Sequence, residues 1–238
     1  MKLSIIIPVY NEEKTVLLLL DKVKKVNFPG VEKEIIIVND GSTDSSTIKI
    51  KEYIRKTPTF IHLQHKKNQG KGAAVRTGIK KATGEYIVIQ DADLEYNPKE
   101  IGKLIKPIKD GYAQIVYGTR LKRLPNLSRD ERTPLFLLHY VGNRLLSLIT
   151  SVFYLQWVTD METCYKVFPR SAVDGMQLNA RGFEFEPEIT ARFLKKGYRI
   201  HEVSITTVPR GYKEGKKINT VKDGFRALSA LIKYRFVD

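Results

Sequence analysis

Asp91 and Asp93 close the run Glu85-Tyr86-Ile87-Val88-Ile89-Gln90, a strand-like segment that delivers two carboxylates, one residue apart, to a point where the chain must turn. Residues i and i+2 of a regular strand share a face, so both carboxylates can converge on one cation. A hard divalent ion held by one or two carboxylates keeps ligand positions free for a substrate's phosphates. That chemistry suits an enzyme that breaks a bond at a diphosphate. Glu95, two residues further on, is a candidate third oxygen donor. Alone, an Asp-x-Asp pair more often marks an exposed acidic turn.

Three earlier segments carry complementary chemistry. In Pro8-Val9-Tyr10-Asn11-Glu12-Glu13, Tyr10 can stack on a base and Asn11 or Glu12 can hydrogen-bond its edge; the same residues would also cap a helix. In Asn39-Asp40-Gly41-Ser42-Thr43-Asp44, Asp40 can accept from a base or ribose, Gly41 permits a tight turn and Asp44 is a candidate helix cap. In Asn68-Gln69-Gly70-Lys71-Gly72, two glycines flank a lysine before a helix, the physics of a phosphate cradle. Neither a G-x-x-x-x-G-K-[ST] loop nor a G-x-G-x-x-G fingerprint is present.

The elements that position these residues alternate. Strands are expected over 3–9, 34–38, 60–63 and 85–90, with helices over 13–26, 44–56 and 72–82. Strands alternating with helices point to βαβ units and a parallel sheet, and continuous runs such as Ile5-Ile6-Ile7 suit strands covered on both faces. All four chemical segments then leave strands on one side of one sheet, where open α/β sheets bind ligands. Further strands are expected over 114–117 and 200–208, and an apolar helix over 135–155. No linker divides the 238 residues, so one domain is expected, with the four chemical segments in 1–118 and a less regular half in 119–238.

Hydrophobic content of 42% and charged content of 28% are ordinary for a globular protein. No uninterrupted apolar run reaches the ~18 residues of a membrane span, and the N-terminus lacks a signal-peptide pattern. The net charge of +15 draws polyanions, but no nucleic-acid-binding motif accompanies it, so no specific nucleic-acid partner is expected. His62, His65, His139 and His201 lack metal-ligand spacing and read as structural, and the single Cys164 reads as inert.

Taken together, Ser4-Ile5-Ile6-Ile7-Pro8-Val9-Tyr10-Asn11-Glu12, Asn39-Asp40-Gly41-Ser42-Thr43-Asp44, Asn68-Gln69-Gly70-Lys71-Gly72 and Asp91-Ala92-Asp93 resemble an inverting GT-A glycosyltransferase. Gly118-Thr119-Arg120 and Thr159-Asp160-Met161-Glu162-Thr163-Cys164-Tyr165-Lys166 narrow the resemblance to the dolichyl- and polyprenyl-phosphate mannose or glucose synthases. The resemblance implies a single domain with a mostly parallel Rossmann-like sheet flanked by helices, 1–118 its nucleotide-sugar half and 119–238 its acceptor half with amphipathic helices. It implies that Pro8, Tyr10, Glu12 and Asp40 hold the nucleoside, with Lys71 and Arg210 also on the nucleotide sugar. Asp91 and Asp93 would bind the diphosphate through Mg2+ or Mn2+. Arg120, Arg132, Asn143 and Arg144 are expected around the acceptor phosphate. Glu95 stands where the mannose synthases often carry Gln, which leaves the donor sugar, mannose or glucose, open.

Two acceptors remain in play. A hydroxyl needs a general base, for which Asp160 is the candidate. A monophosphate, with a second pKa of about 6, is its own nucleophile and needs cations instead, as in Arg120-Leu121-Lys122-Arg123, Arg129, Arg132 and Arg144. On the 135–155 helix, His139, Asn143, Ser147 and Thr150 form one narrow polar stripe, consistent with a core helix or one lying in a membrane interface. Near the C-terminus, Lys222, Arg226, Ser229 and Lys233 share a face beside Phe225, Leu228 and Ile232, the pattern of a surface-binding basic helix. Relatives often add transmembrane helices after this point. The chain ends at Asp238, so the expectation is peripheral association with the cytoplasmic membrane face, a membrane-anchoring partner, or a soluble acceptor. Glu184, Glu186 and Glu188 fit either a sugar pocket or a helix start.

Overall fold

A computed structural model describes residues 1–121, 134–208, 210 and 220–236 of the chain, with the side chains at 134, 135 and 220–222 left out of the description. Its centre is a seven-stranded mixed sheet in the order β3-β2-β1-β4-β6-β5-β7. The strands are β1 (Lys2–Val9), β2 (Glu32–Asn39), β3 (Phe60–Gln64), β4 (Tyr86–Ile89), β5 (Ile115–Thr119), β6 (Lys166–Pro169) and β7 (Ile200–Ser204). Between them run α1 (Val16–Lys25), α2 (Ser46–Arg55), α3 (Lys71–Lys81), α4 (Ile101–Lys109), α5 (Pro134–Tyr154), a single turn α6 (Arg170–Val173), α7 (Phe185–Lys195) and, last, α8 (Thr220–Phe236).

The first four strands are parallel, as their unbroken apolar runs predict. Ile5, Ile6, Ile7, Ile36, Ile37 and Val38 are buried, because helices cover both faces of the sheet. Their register aligns Val9 with Asn39 and Asn39 with Gln64, bringing the carboxyl ends of β1, β2 and β3 to one edge. β4 pairs with β1 and ends at the same edge.

The second half departs from the sequence expectation. β6 runs antiparallel between β4 and β5, a strand of four residues bounded by Lys166 and Pro169, too short to announce itself by pattern. No element was expected over α4, which carries Pro107 inside it. β7 stops at Ser204 rather than continuing to 208, and beyond it Thr207 makes only a bridge to Tyr96.

Helix α5 is inside out. Asn143, Ser147, Thr150 and Ser151 are buried, whereas Leu138, Val141, Leu145, Leu148 and Val152 are exposed. The buried hydroxyls have partners that explain this. Ser147 Oγ accepts from the Met161 N–H at 3.0 Å, and Ser151 Oγ accepts from the Val158 N–H at 3.0 Å. The polar stripe thus satisfies the backbone of 158–161, a segment without a ladder of its own. Phe136–Tyr154 is also long and apolar enough to cross a membrane, although His139, Asn143, Arg144, Ser147, Thr150 and Ser151 interrupt its apolar run. α8 packs on α7 and α5 through Ala227, Ala230, Leu231 and Tyr234, leaving Phe225, Arg226, Ser229, Ile232 and Lys233 outward. The expected basic face is there for Arg226, Ser229 and Lys233; the Lys222 side chain lies outside the described residues.

Candidate active site

The strand exits enclose a cavity of about 620 Å³ at the carboxyl edge of β1, β2 and β4. Pro8, Tyr10, Glu12, Asp40, Lys71, Asp91, Asp93, Glu95, Arg120, Asn143 and Arg210, named from sequence for two different substrates, all line this one space.

The loops that hold it are laced to each other. Asn11 N–H donates to Ser42 Oγ (3.0 Å), its side-chain carbonyl accepts from Thr43 N–H (2.8 Å), and Glu13 N–H donates to Asp44 (3.0 Å). Asp44 also accepts from Ser46 N–H at the start of α2, close to its expected capping role. Asp40 is more occupied than a free nucleoside acceptor. Its Oδ1 meets His65 Nδ1 at 2.6 Å and accepts from Gln69 N–H at 2.9 Å, and its Oδ2 accepts from Gly70 N–H at 2.8 Å. One lone pair of Oδ2 is left for a ligand. His65 is structural, as expected, with Nε2 on Thr77 at 2.9 Å.

The phosphate-cradle reading of the glycines needs correction. The Gly70 N–H is consumed by Asp40, and a Cβ on Gly70 would lie 2.3 Å from the Arg181 carbonyl oxygen, one on Gly72 2.7 Å from that of Ala180. With φ +95° at Gly70 as well, both glycines serve the close approach of α3 to 180–182. Lys71 is the part of the motif that faces the site, 3.0 Å from both Asp91 and Glu186. Burial disfavours its charge, but Asp91 and Glu186 outweigh that and hold its pKa well above the usual lysine value.

The expected three-carboxylate metal set does not assemble. Among the described residues no group of three or more His, Cys, Asp or Glu side chains is placed to hold an ion. Glu95 is turned aside: its Oε1 accepts from Arg210 N–H at 3.1 Å, while its own N–H donates to Asp93 Oδ1 at 3.0 Å. Arg210 Nε donates to the Asp93 carbonyl at 2.8 Å and its Nη2 to Glu12 Oε2 at 2.8 Å. Arg210 therefore clamps the turn through Leu94 (φ +68°) against the β1 exit, and Glu12 serves that clamp. The remaining pair, Asp91 and Asp93, fits a hard dication. Burial, reinforced by the charges of Asp91 and Glu95, pushes the Asp93 carboxyl up to about 7, a crowding of negative charge that a cation relieves.

On the acceptor side, Asp160 is fully buried, with both oxygens on Arg120: Nε to Oδ2 at 2.8 Å and Nη2 to Oδ1 at 2.7 Å. Asp160 does not line the cavity, so the general-base assignment is corrected: it positions Arg120. Glu202 supports the pair by accepting from the Thr159 and Asp160 N–H groups at 2.9 and 3.1 Å. Arg144 is also displaced from its expected place, because its guanidinium reaches the Leu121 carbonyl and lies over Tyr140 rather than facing the cavity. Arg132, with Lys122, Arg123 and Arg129, lies outside the described residues.

Tyr96, His139, Glu162, Arg226 and, from the acidic run at 184–188, Glu186 join the lining. Nothing local marks Tyr96, which reaches the site by tilted packing on Tyr165 at 4.7 Å between ring centroids. Cys164 lines the cavity too, its thiol directed at the Ile89 carbonyl; burial raises its pKa well above the ordinary value, which keeps it inert.

Comparison with known proteins agrees with this architecture. Residues 4–176 match the family described as Glycosyl transferase family 2. The chain is 31% identical, over 96% of its length and 94% of the relative's, to the UDP-N-acetylglucosamine–dolichyl-phosphate N-acetylglucosaminyltransferase of Methanococcus voltae. It is 29% identical to the dolichol-phosphate mannosyltransferase of Pyrococcus furiosus, covering 98% of this chain and 64% of that protein. In fold it is similar to the glucosyl-3-phosphoglycerate synthase of Mycobacterium tuberculosis solved with Mn2+, uridine diphosphate and phosphoglyceric acid (TM-score 0.73, 19% identity, 100% of this chain and 79% of that one). The same mycobacterial enzyme has been solved with Mg2+ and uridine diphosphate. With a GT-A-like fold and a family match spanning most of its length, the chain belongs to glycosyl transferase family 2 and is a glycosyltransferase.

Proposed function

We propose that the protein transfers a hexose from a nucleotide diphosphate sugar to dolichyl or another polyprenyl phosphate, at the cytoplasmic face of a membrane it meets peripherally. The observation that carries this reading is the continuity of one cavity from Asp91 and Asp93 to Asn143, on a helix whose opposite face is exposed and apolar. A hydrophilic donor and a lipid-borne phosphate can meet there, with the lipid tail leaving along α5. The names of the archaeal relatives support the acceptor, and the N-acetylglucosamine in one of them adds that sugar to the candidates.

The residues divide the work. Asp91 and Asp93 would hold Mg2+ or Mn2+, which supplies positive charge to the departing diphosphate. Tyr10, Pro8 and the open lone pair of Asp40 receive the nucleoside. Arg120, fixed by Asp160, presents a cation to phosphate oxygens, and Asn143 offers an amide beside it. The acceptor dianion attacks the anomeric carbon directly as the sugar–diphosphate bond breaks, so no base is required. Transfer to a soluble hydroxyl, the alternative, loses the base assigned to it once Asp160 is committed to Arg120.

The test is incubation with dolichyl phosphate and labelled GDP-mannose, UDP-glucose or UDP-N-acetylglucosamine, with and without Mn2+ or Mg2+, followed by extraction into organic solvent. Metal-dependent lipid-linked label is expected from one of these donors. Label confined to water-soluble acceptors would overturn the lipid assignment.

A further inference from the structure

Glu162 and Glu186, in the cavity wall, have no task in the mechanism above. Glu186, in the first turn of α7, is 4% exposed; its Oε1 is held by Lys71 at 3.0 Å, and its Oε2 is buried with no hydrogen-bond partner among the described residues. Glu162, on the segment between α5 and β6, has an Oε1 in the same condition. Both side chains line the cavity that holds Asp91. A buried acceptor left unsatisfied is costly, and its presence at a site calls for a partner that arrives with the ligand.

We infer that Glu162 and Glu186 form the receptor for the donor's sugar ring, accepting hydrogen bonds from its hydroxyls and so selecting which sugar is transferred. This rests on the donor reading above and deepens it. Position supports it first: Lys71 bridges Glu186 and Asp91 at 3.0 Å each, so Glu186 sits one ammonium group away from the diphosphate site, where a sugar on the distal phosphate must lie. Charge supports it second. Lys71 offsets Glu186 on one side, and Lys166, wholly buried with its Nζ on the Met161 and Thr163 carbonyls, interacts electrostatically with both carboxylates. Burial and the Glu186 charge push the Glu162 carboxyl up to about 8, so near neutrality Glu162 carries a proton and can donate as well as accept. A nearly neutral pocket with orphaned acceptors suits O–H donors better than a cation. Such a site rejects an analogue that lacks the hydroxyl, because its own polar groups are then left unpaired.

The test compares wild type, Glu162→Gln and Glu186→Gln by calorimetric titration. Each is titrated with UDP-glucose, UDP-N-acetylglucosamine and GDP-mannose, with the corresponding nucleoside diphosphates, and with monodeoxy analogues of the sugar that binds best. In wild type at least one deoxy analogue should bind on the order of tenfold to a hundredfold more weakly than its parent. In each variant the parent should weaken by a similar factor, the deoxy penalty should shrink, and nucleoside diphosphate affinity should stay unchanged. If one variant fails to fold, the other still decides. Equal losses of nucleotide sugar and nucleoside diphosphate, or a fall in kcat with sugar selectivity intact, would overturn the inference. Because binding is read without turnover, the two readings fail separately: selective binding with no lipid product sinks the proposed reaction alone, and lipid product with variants that keep the wild-type sugar selectivity sinks this inference alone.

Discussion

The sheet and helix α5 solve opposite problems with the same amino acids. Along β1, Ile5, Ile6 and Ile7 are buried and the chemistry begins only where the strand ends, at Pro8 and Tyr10. Along α5, Leu138, Val141, Leu145, Leu148 and Val152 face outward, while Asn143, Ser147, Thr150 and Ser151 face inward beside the buried Leu146. In the first region burial of apolar surface fixes the fold and polar residues are added at the rim. In the second, a polar stripe attaches an apolar helix to the body of the protein. The difference teaches that α5 is placed by hydrogen bonds, leaving its apolar face available for something other than the core.

The sharpest way to break this comparison is at the join between the regions. Asp160→Asn removes the charge that holds Arg120 and leaves a partly buried guanidinium unpaired, which is expected to destabilise by about 3 kcal/mol and to lower Tm by roughly 6–12 °C. If Asp160 were a general base, the variant would keep its Tm and lose only turnover. Circular dichroism melting with an activity assay separates these outcomes.

Asp93→Asn should do the reverse. The side chain stands among Asp91 and Glu95, so removing its charge relieves repulsion and should leave Tm unchanged or higher. Transfer should fall by at least about a hundredfold, since charge stabilisation of the leaving group is lost. Chelation of wild type with EDTA should mimic it, and full activity in chelator would remove the metal from the reaction.

These contrasts also mark what could be read from the sequence. The parallel half was legible because its strands are long apolar runs and each exit carries residues of one chemical kind. β6 was not, since four residues between Lys166 and Pro169 give no period, and its place in the sheet comes from pairing with β4 and β5. The site residues were legible as types and less so as roles. Asp40, Glu12 and Asp160 all lie where expected or next to it, yet each is engaged by partners distant in sequence: Gln69 and Gly70, Arg210, and Arg120. Spacing along the chain shows which groups reach a sheet edge, but not which of them neutralise one another there. The polar stripe of α5 was visible by its period; that the stripe faces in rather than out depends on the unladdered backbone of 158–161, which no periodicity encodes.

That last point yields a test on adjacent residues. Ser147→Ala leaves the Met161 N–H buried without an acceptor and is expected to cost about 1–3 kcal/mol. Leu148→Ala, one position along and 48% exposed, should change stability in solution by no more than about 0.5 kcal/mol, although by hydrophobicity it is the larger truncation. The ranking inverts once a membrane is present. If the outward face of α5 lies in a lipid interface, Leu145→Asp should abolish co-sedimentation with vesicles of anionic phospholipid while Tm without vesicles stays at the wild-type value, and Ser147→Ala should lower Tm while vesicle binding persists at temperatures where the variant is folded. Vesicle binding that survives Leu145→Asp would move the membrane contact off α5 and onto the Phe225 and Ile232 face of α8, where Arg226 and Lys233 provide the matching charge.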